Sequence, residues 1–589
     1  MLTRTILMVL ISLGGLAGEA SARSDHEARF EELAARYVDE VARQSPIDGT
    51  ALGDHRFDGL LDDISAEGRR KRGDWLRRVA AELNGIERAR LSRPSQVDFA
   101  LLRHAVRYQL WQLEVLGEWE WNPLVYTGLL GDSVQRLLER EFAPEGERLS
   151  NVTRRLRGFP DFLKEVRATL KPMRVPAVHA ETAVAQNKGI LSILEQARSR
   201  REALTAEGRK ELDAALELAE REIREHQVWL EGTLLPNARG DFRIGRDLYD
   251  TKLRFTLHSP LSRGDLRGMA ELRVAELHDQ MYDLAVPLLR EAKSAIPTPA
   301  RPSAEEKRAA IRGALELAYA DAPSAAAIVE TIREGVARAT AFVREKELVS
   351  LTPDPLEIVL MPEFRQGVSA AYCDAPGPLE TNQKTFYAVS PIPKSWSETQ
   401  ARSFLREYNR RSLDVLTIHE AMPGHYLQLA LSNRYPGRLR HLFQSGAFVE
   451  GWAVYSEWMM CEAGFRDGDS LLKLVTLKWY LRDATNAILD QAVQVDGMTQ
   501  PEAMKLLMDD AFQEEREAAG KWRRAQLTSA QLSTYFTGYV EHLALRREAQ
   551  QRWGSRFSLK EYHDRVLSYG SPPMAFVRAL LFEEPVPEE

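Results

Sequence analysis

The segment His419-Glu420-Ala421-Met422-Pro423-Gly424-His425 holds two imidazoles and a carboxylate beside the first of them. Neutral imidazole nitrogens suit Zn²⁺, and a carboxylate next to the ion can take a proton from an attacking water, so these are the parts of a zinc hydrolase. The spacing is awkward. In the H-E-x-x-H arrangement the two His stand four apart, about 40° around the helix, and face one ion. At a spacing of six they would sit about 120° apart on an ideal helix and could not share an ion. Pro423 and Gly424 offer a remedy, because proline cannot donate to the helical ladder and glycine tolerates the irregular backbone that follows. A break between the imidazoles is therefore expected. Without one, the same residues read as two His hydrogen-bonding across a helix junction.

A third ligand is needed, and Phe448-Val449-Glu450-Gly451-Trp452-Ala453-Val454-Tyr455-Ser456-Glu457 supplies it. Glu450 follows His425 by 25 positions, room for a loop and a returning helix. On that helix Glu450, Val454, Glu457 and Cys461 share a face. An acid among Phe, Val, Trp and Ala is costly to bury unless it meets a cation, which favours Glu450 as the metal ligand. Glu457 is then an acid that orients an imidazole or pairs with Arg. The alternative is that both are ordinary surface acids of an amphipathic helix.

Most of the chain must be helical to position these groups. In Phe30 to Arg43, Leu33, Tyr37 and Val41 fall on one face at spacings of four, and residues 207–232 repeat the pattern up to Gly232. Asp265 to Val286 and Ala304 to Glu347 continue it. The charge-rich faces read as solvated helix surfaces. Three prolines in Pro297-Thr298-Pro299-Ala300-Arg301-Pro302 mark an exposed connection, dividing the chain into an N-terminal helical lobe (23–295) and a catalytic lobe (303–589). Strand character is confined to Pro355–Pro362 and Lys384–Pro391, joined by a turn-rich segment, and predicts a small antiparallel ribbon.

Composition narrows the function. The 589 residues are 44% hydrophobic and 28% charged, which excludes wholesale disorder, and the net charge of −7 argues against nucleic-acid binding by a basic surface. Two cysteines exclude a disulfide scaffold and any four-thiolate site, so a metal must be held by His and carboxylate. Residues 1–22 read as a secretory signal peptide: Arg4, an apolar run from Ile6 to Ala17, then Ala20-Ser21-Ala22. No cysteine follows the run, so a lipid anchor is not expected. With no later apolar stretch of about 20 residues, the mature protein should be exported, periplasmic or secreted, without stable membrane insertion. There Cys373 and Cys461 could form one bridge or stay free.

HEAMPGH followed by EGWAVYSE resembles the bacterial DUF885 family, a zincin-like group placed among metallopeptidases. Weaker likenesses run along the chain: Ser45-Pro46 with Gly53-Asp54-His55, Gly245-Arg246-Asp247-Leu248-Tyr249 with Leu253-Arg254, and Tyr535-Phe536-Thr537-Gly538 with Leu545-Arg546. The resemblance implies His419, His425 and Glu450 as ligands of one Zn²⁺ and Glu420 as general base. One departure is Gln494, at a place where many relatives carry His, so a substrate contact or proton relay would differ. The likeness extends loosely to two-lobed helical zinc peptidases in which a small sheet lines a deep channel and its edge strand pairs with an extended peptide. In those, a Tyr of a C-terminal helix donates to the developing oxyanion. Tyr535 matches best, Tyr539 is a second candidate, and Arg546 could hold a substrate carboxylate. The expected function is hydrolysis of peptide or small amide bonds. The same centre could act on an ester or a non-peptide amide, and an exported helical binding protein without metal is the remaining reading.

Overall fold

The computed structural model describes residues 25–362, 370–380, 382–393 and 396–588, so the expected signal peptide lies outside the described residues. The chain is mainly helical. Residues 25–44 form the expected amphipathic helix, with Leu33 and Tyr37 buried and Val41 half-buried. Residues 207–232 differ at their end. The helix Ala206–Trp229 runs on through a π-turn at Leu230–Leu234 to Asn237 rather than stopping at Gly232. Leu230 and Leu234 are both fully buried, and that burial outweighs the roughly 1 kcal/mol cost of a glycine in the helix. The region from Ala304 to Glu347 forms two helices, Ala304–Tyr319 and Ile328–Glu345. Among the described residues no helix is long and apolar enough to cross a membrane.

The proline-rich link joins the helix Arg263–Glu291 to the helix Ala304–Tyr319, as expected of an exposed connection. It does not divide the apolar cores. Tyr249 to Leu289 share one core with residues 310–581, and the Arg263–Glu291 helix packs along Ser470–Gln494. A second core lies within Tyr126–Ala238, and a third gathers Phe30 to Val106 with Leu439.

The sheet corrects the antiparallel ribbon. β1 (Leu356–Leu360) and β3 (Thr385–Val389) do pair, but in parallel, Leu356 opposite Thr385 and Leu360 opposite Val389. The first half of the segment expected to be all turn is a strand, β2 (Ala371–Asp374), which runs antiparallel to β3 and gives the order β1-β3-β2. Cations from the N-terminal helices hold this segment extended. Arg136 lies 2.9 Å from Asp374, and buried Arg140 donates to the carbonyls of Asp374, Ala375 and Lys384 at 3.1, 3.0 and 2.7 Å. The N-terminal Gly53-Asp54-His55 motif braces the turn that follows. The His55 imidazole lies between Asp58 and Glu380 at 3.0 and 3.3 Å, and Gly53 (φ +88°) presses against the Glu380 backbone.

Two of the sequence motifs meet at a helix crossing. A Cβ on Gly538 would lie 1.8 Å from the Ala447 carbonyl oxygen, and one on Gly451 would lie 2.3 Å from the Gly538 backbone. The helices Gly446–Glu462 and Ser533–Trp553 therefore touch backbone to backbone, which brings Glu450 and Tyr535 to one place. A methyl group has nowhere to go, so Gly538→Ala should destabilise the fold by about 1–3 kcal/mol, the usual cost of overpacking. Thermal unfolding checks this; an unchanged midpoint would mean that the crossing can relax.

Candidate metal centre

The helix Arg410–Glu420 is capped by the Asn409 side chain and is buried from Ser412 to its end, so His419 and Glu420 sit on its last turn inside the protein. It stops where the sequence places the breaker. Ala421 leaves helical geometry (φ −121°, ψ −81°), the Met422–Pro423 bond is cis, and a new helix, His425–Ser432, begins at the second imidazole. Gly424 is required for space rather than for a left-handed backbone: at φ −71° its Cβ would fall 1.9 Å from the His419 carbonyl oxygen. The indole of Trp452, fully buried, donates to the Pro423 carbonyl at 2.8 Å and fastens the break to the Gly446–Glu462 helix.

This break brings the imidazoles together, their ring centroids 4.7 Å apart and nearly perpendicular at 87°. His425 Nε2 and His419 Nε2 lie 3.4 and 3.6 Å from the same oxygen, Glu450 Oε2. Three such donors held at about 2.0–2.1 Å by a tetrahedral zinc ion would be about 3.3 Å apart. The three donor atoms all lie within 4.8 Å of one another, so the edges suit an ion of this kind. Burial opposes charge on Glu450, but hydrogen bonding to the two imidazoles outweighs it and holds the carboxyl below its ordinary range. The oxygen meets the imidazoles as an anion. Once an ion displaces the Nε2 protons, two imidazole nitrogens and one carboxylate oxygen are a donor set for a divalent cation, with room for one further ligand.

Glu457 does what a ligand-orienting acid should: its Oε1 lies 2.7 Å from His419 Nδ1, which makes Nδ1 the protonated nitrogen and leaves Nε2 free to ligate. Next to it Asp483 is pushed up to about 7, chiefly by burial and then by the Glu457 charge. Glu420 lines the same cavity as the three donors, and its carboxylate has no hydrogen bond or ion pair among the described residues. Tyr535 lines the same cavity, its ring 6.4 Å from that of His419 and its hydroxyl accepting from Arg524 at 2.9 Å. Burial raises the Tyr535 phenol, with Arg524 opposing, so it stays a donor at neutral pH.

Other expected residues are elsewhere. Arg546 is spent on Glu462 at 2.8 Å and on the Trp458 ring, and it does not line the cavity. Tyr539, one turn beyond Tyr535, is buried against Tyr480 and is also outside. Gln494 makes a structural bridge rather than a relay. Its amide donates to the carbonyls of Ala525 and Thr528 at 2.8 and 3.0 Å and accepts from Ile244 N–H at 3.2 Å. Cys373 and Cys461 are both free thiols. The cavity also contains Arg482, Asp483, Lys521 and Arg524, none of them singled out by the sequence. For Arg482 and Asp483 the one signal is charge within the apolar run of the Ser470–Gln494 helix. Lys521 and Arg524 stand in the charge-rich Glu515–Leu527 helix, where nothing in the local sequence separates them from solvated charges.

A mainly helical protein with a buried His-His-Glu cluster at the floor of a large cavity is the class that these features define. The chain belongs to the DUF885 family, bacterial proteins of unknown function, which it matches over residues 46–581. Among solved structures it is similar to a candidate lipoprotein of unknown function from Shewanella oneidensis (32% identity, TM-score 0.77, covering 94% of this chain and 99% of that one). It shares its fold with a candidate lipoprotein from Colwellia psychrerythraea (17% identity, TM-score 0.76, covering 95% and 98%). No curated protein matches it.

If Glu457 fixes the His419 tautomer, Glu457→Gln should weaken zinc binding by about 10–100-fold while leaving the fold intact. Competition against a chromophoric chelator measures this. Parental affinity in the variant would show that Glu457 does not support the ligand.

Proposed function

We propose that the protein is an exported zinc peptidase that hydrolyses amide bonds of peptides. The observation that carries the reading is the triangle of His419 Nε2, His425 Nε2 and Glu450 Oε2, with edges of 3.4 and 3.6 Å, in a cavity that Glu420 also lines, its carboxylate unpaired among the described residues. Zn²⁺ held there would act as a Lewis acid and lower the pKa of a water to about 7. Glu420, free of other partners, takes the proton of the attacking water and passes it to the departing nitrogen. The Tyr535 hydroxyl, held by Arg524, donates to the oxygen on which charge develops.

The cavity supports an extended substrate. It measures about 1430 Å³, and β2, at one edge of the sheet, contributes Ala371, Tyr372 and Cys373 to its wall. A strand at the edge of a sheet is a place where an extended peptide can add by backbone pairing, which gives affinity with little side-chain preference. Export is supported by the leader-like N-terminus and by the similar proteins described as candidate lipoproteins.

Glu420→Gln should keep one zinc per chain and lose about 100- to 10,000-fold in the rate of cleavage of a mixed peptide library, read by mass spectrometry. A zinc-loaded variant as fast as the parent would remove Glu420 from the role of base. A zinc-loaded parent that cleaves esters but no peptide would overturn the substrate class.

A further inference from the structure

Lys521 is only 7% exposed, lines the cavity, and its ammonium has neither a hydrogen bond nor an ion pair among the described residues. A buried, unpartnered ammonium is expensive, and its neighbours add to the cost. Arg524 stands one turn further along the same helix, Glu515–Leu527, on the same face. Its guanidinium donates to Gln531 and Tyr535 at 2.8 and 2.9 Å and has no carboxylate within ion-pair distance. Arg482 reaches the cavity from the Ser470–Gln494 helix. Its one acid is Glu517 at 3.5 Å, and its buried Nε has no partner. Burial first, then the charges of Arg482 and Arg524, push the Lys521 ammonium down to about 7. The nearby acids offset this group only in part: Glu517, held ionised against burial by Lys521 and Arg482, is shared between them, and burial drives Asp483 towards its neutral form.

Among the basic side chains that line the cavity, Lys521, Arg524 and Arg482 lie close enough to repel one another, and Lys521 has no hydrogen bond or ion pair among the described residues, which leaves this cluster open to an anion from outside. We propose that Lys521, Arg524 and Arg482 form the recognition site for a carboxylate carried by the substrate. Arg524 holds Tyr535, and Tyr535 lies against His419, so the bound carboxylate is close to the amide that is cut. It is either the α-carboxylate of a C-terminal residue about to be released or an acidic side chain beside the bond. This assignment rests on the peptidase reading and gives the site its substrate class. It also moves the carboxylate-binding role from Arg546, which Glu462 already neutralises.

The test has a binding arm and a substrate arm. Calorimetric titration of the full-length zinc-loaded protein with glutarate and with its diamide should show glutarate binding at least about tenfold tighter. Lys521→Met, which keeps the volume and removes the charge, should lose about tenfold for glutarate with zinc content unchanged and an unfolding midpoint no lower than the parent's. In the substrate arm, which needs no variant, a neutral peptide with a free C-terminus is compared with its C-terminal amide and with an amidated peptide bearing Asp or Glu beside the bond. Preference for the free acid assigns the α-carboxylate, and preference for the third peptide assigns the side chain. Equal binding of glutarate and its diamide, or equal cleavage of all three peptides, overturns the proposal, as does a folded Lys521→Met that binds glutarate like the parent. Lys521-dependent glutarate binding in a protein that cleaves no peptide upholds the anion site and overturns the peptidase reading instead.

Discussion

Two imidazoles separated by six positions cannot face one point from a continuous helix, and the architecture of the site follows from how the chain escapes that constraint. The escape is a complete break. One helix ends at Glu420, another begins at His425, and the four residues between them fold back until Gly424 lies against the carbonyl of His419. A break buried this deeply must have its polar groups satisfied. The Gly424 N–H bonds to Ile418 O at 2.9 Å, and the Pro423 carbonyl accepts from the Trp452 indole. The helix that provides this indole also provides Glu450 and Glu457, so one element both fastens the break and brings the two acids to the imidazoles.

That element is placed by the contact of Gly451 with Gly538. Because the two helices meet without side chains between them, Tyr535 comes within stacking range of His419, and Arg524 reaches its hydroxyl. The central chemistry and its electrostatic surroundings are thus set by packing geometry at two glycines and one proline. The distant N-terminal motif belongs to the same frame. His55 clasps Glu380 and the buried Arg140 clasps the strand before it, and together they fix the sheet edge that borders the cavity.

The local signals in the sequence were the dependable ones. The Pro423-Gly424 break, the meeting of Glu450 with the two imidazoles, the approach of Glu457 to His419, and the buried stripe at Leu33 and Tyr37 all follow from residue type and helical period. What the sequence could not convey was pairing over distance. Nothing in the text of Leu356–Leu360 and Thr385–Val389 distinguishes a parallel from an antiparallel partner, since the decision rests with Asp374 and the arginines that extend β2 between them. Arg546 and Lys521 show the same limit for charges. Arg546 sits in a motif but is neutralised by Glu462, whereas Lys521 sits on an unremarkable charged helix and has no hydrogen bond or ion pair among the described residues. Burial and partnership separate them, and both are properties of the folded chain.

The central claim is that His419, His425 and Glu450 hold a single zinc ion. X-ray absorption at the zinc edge of the metal-loaded protein tests it most directly. The account predicts two imidazole nitrogens and a carboxylate oxygen at about 2.0–2.1 Å, with one further light ligand. A sulfur at about 2.3 Å, or a shell without imidazole scattering, would place the ion elsewhere and contradict it.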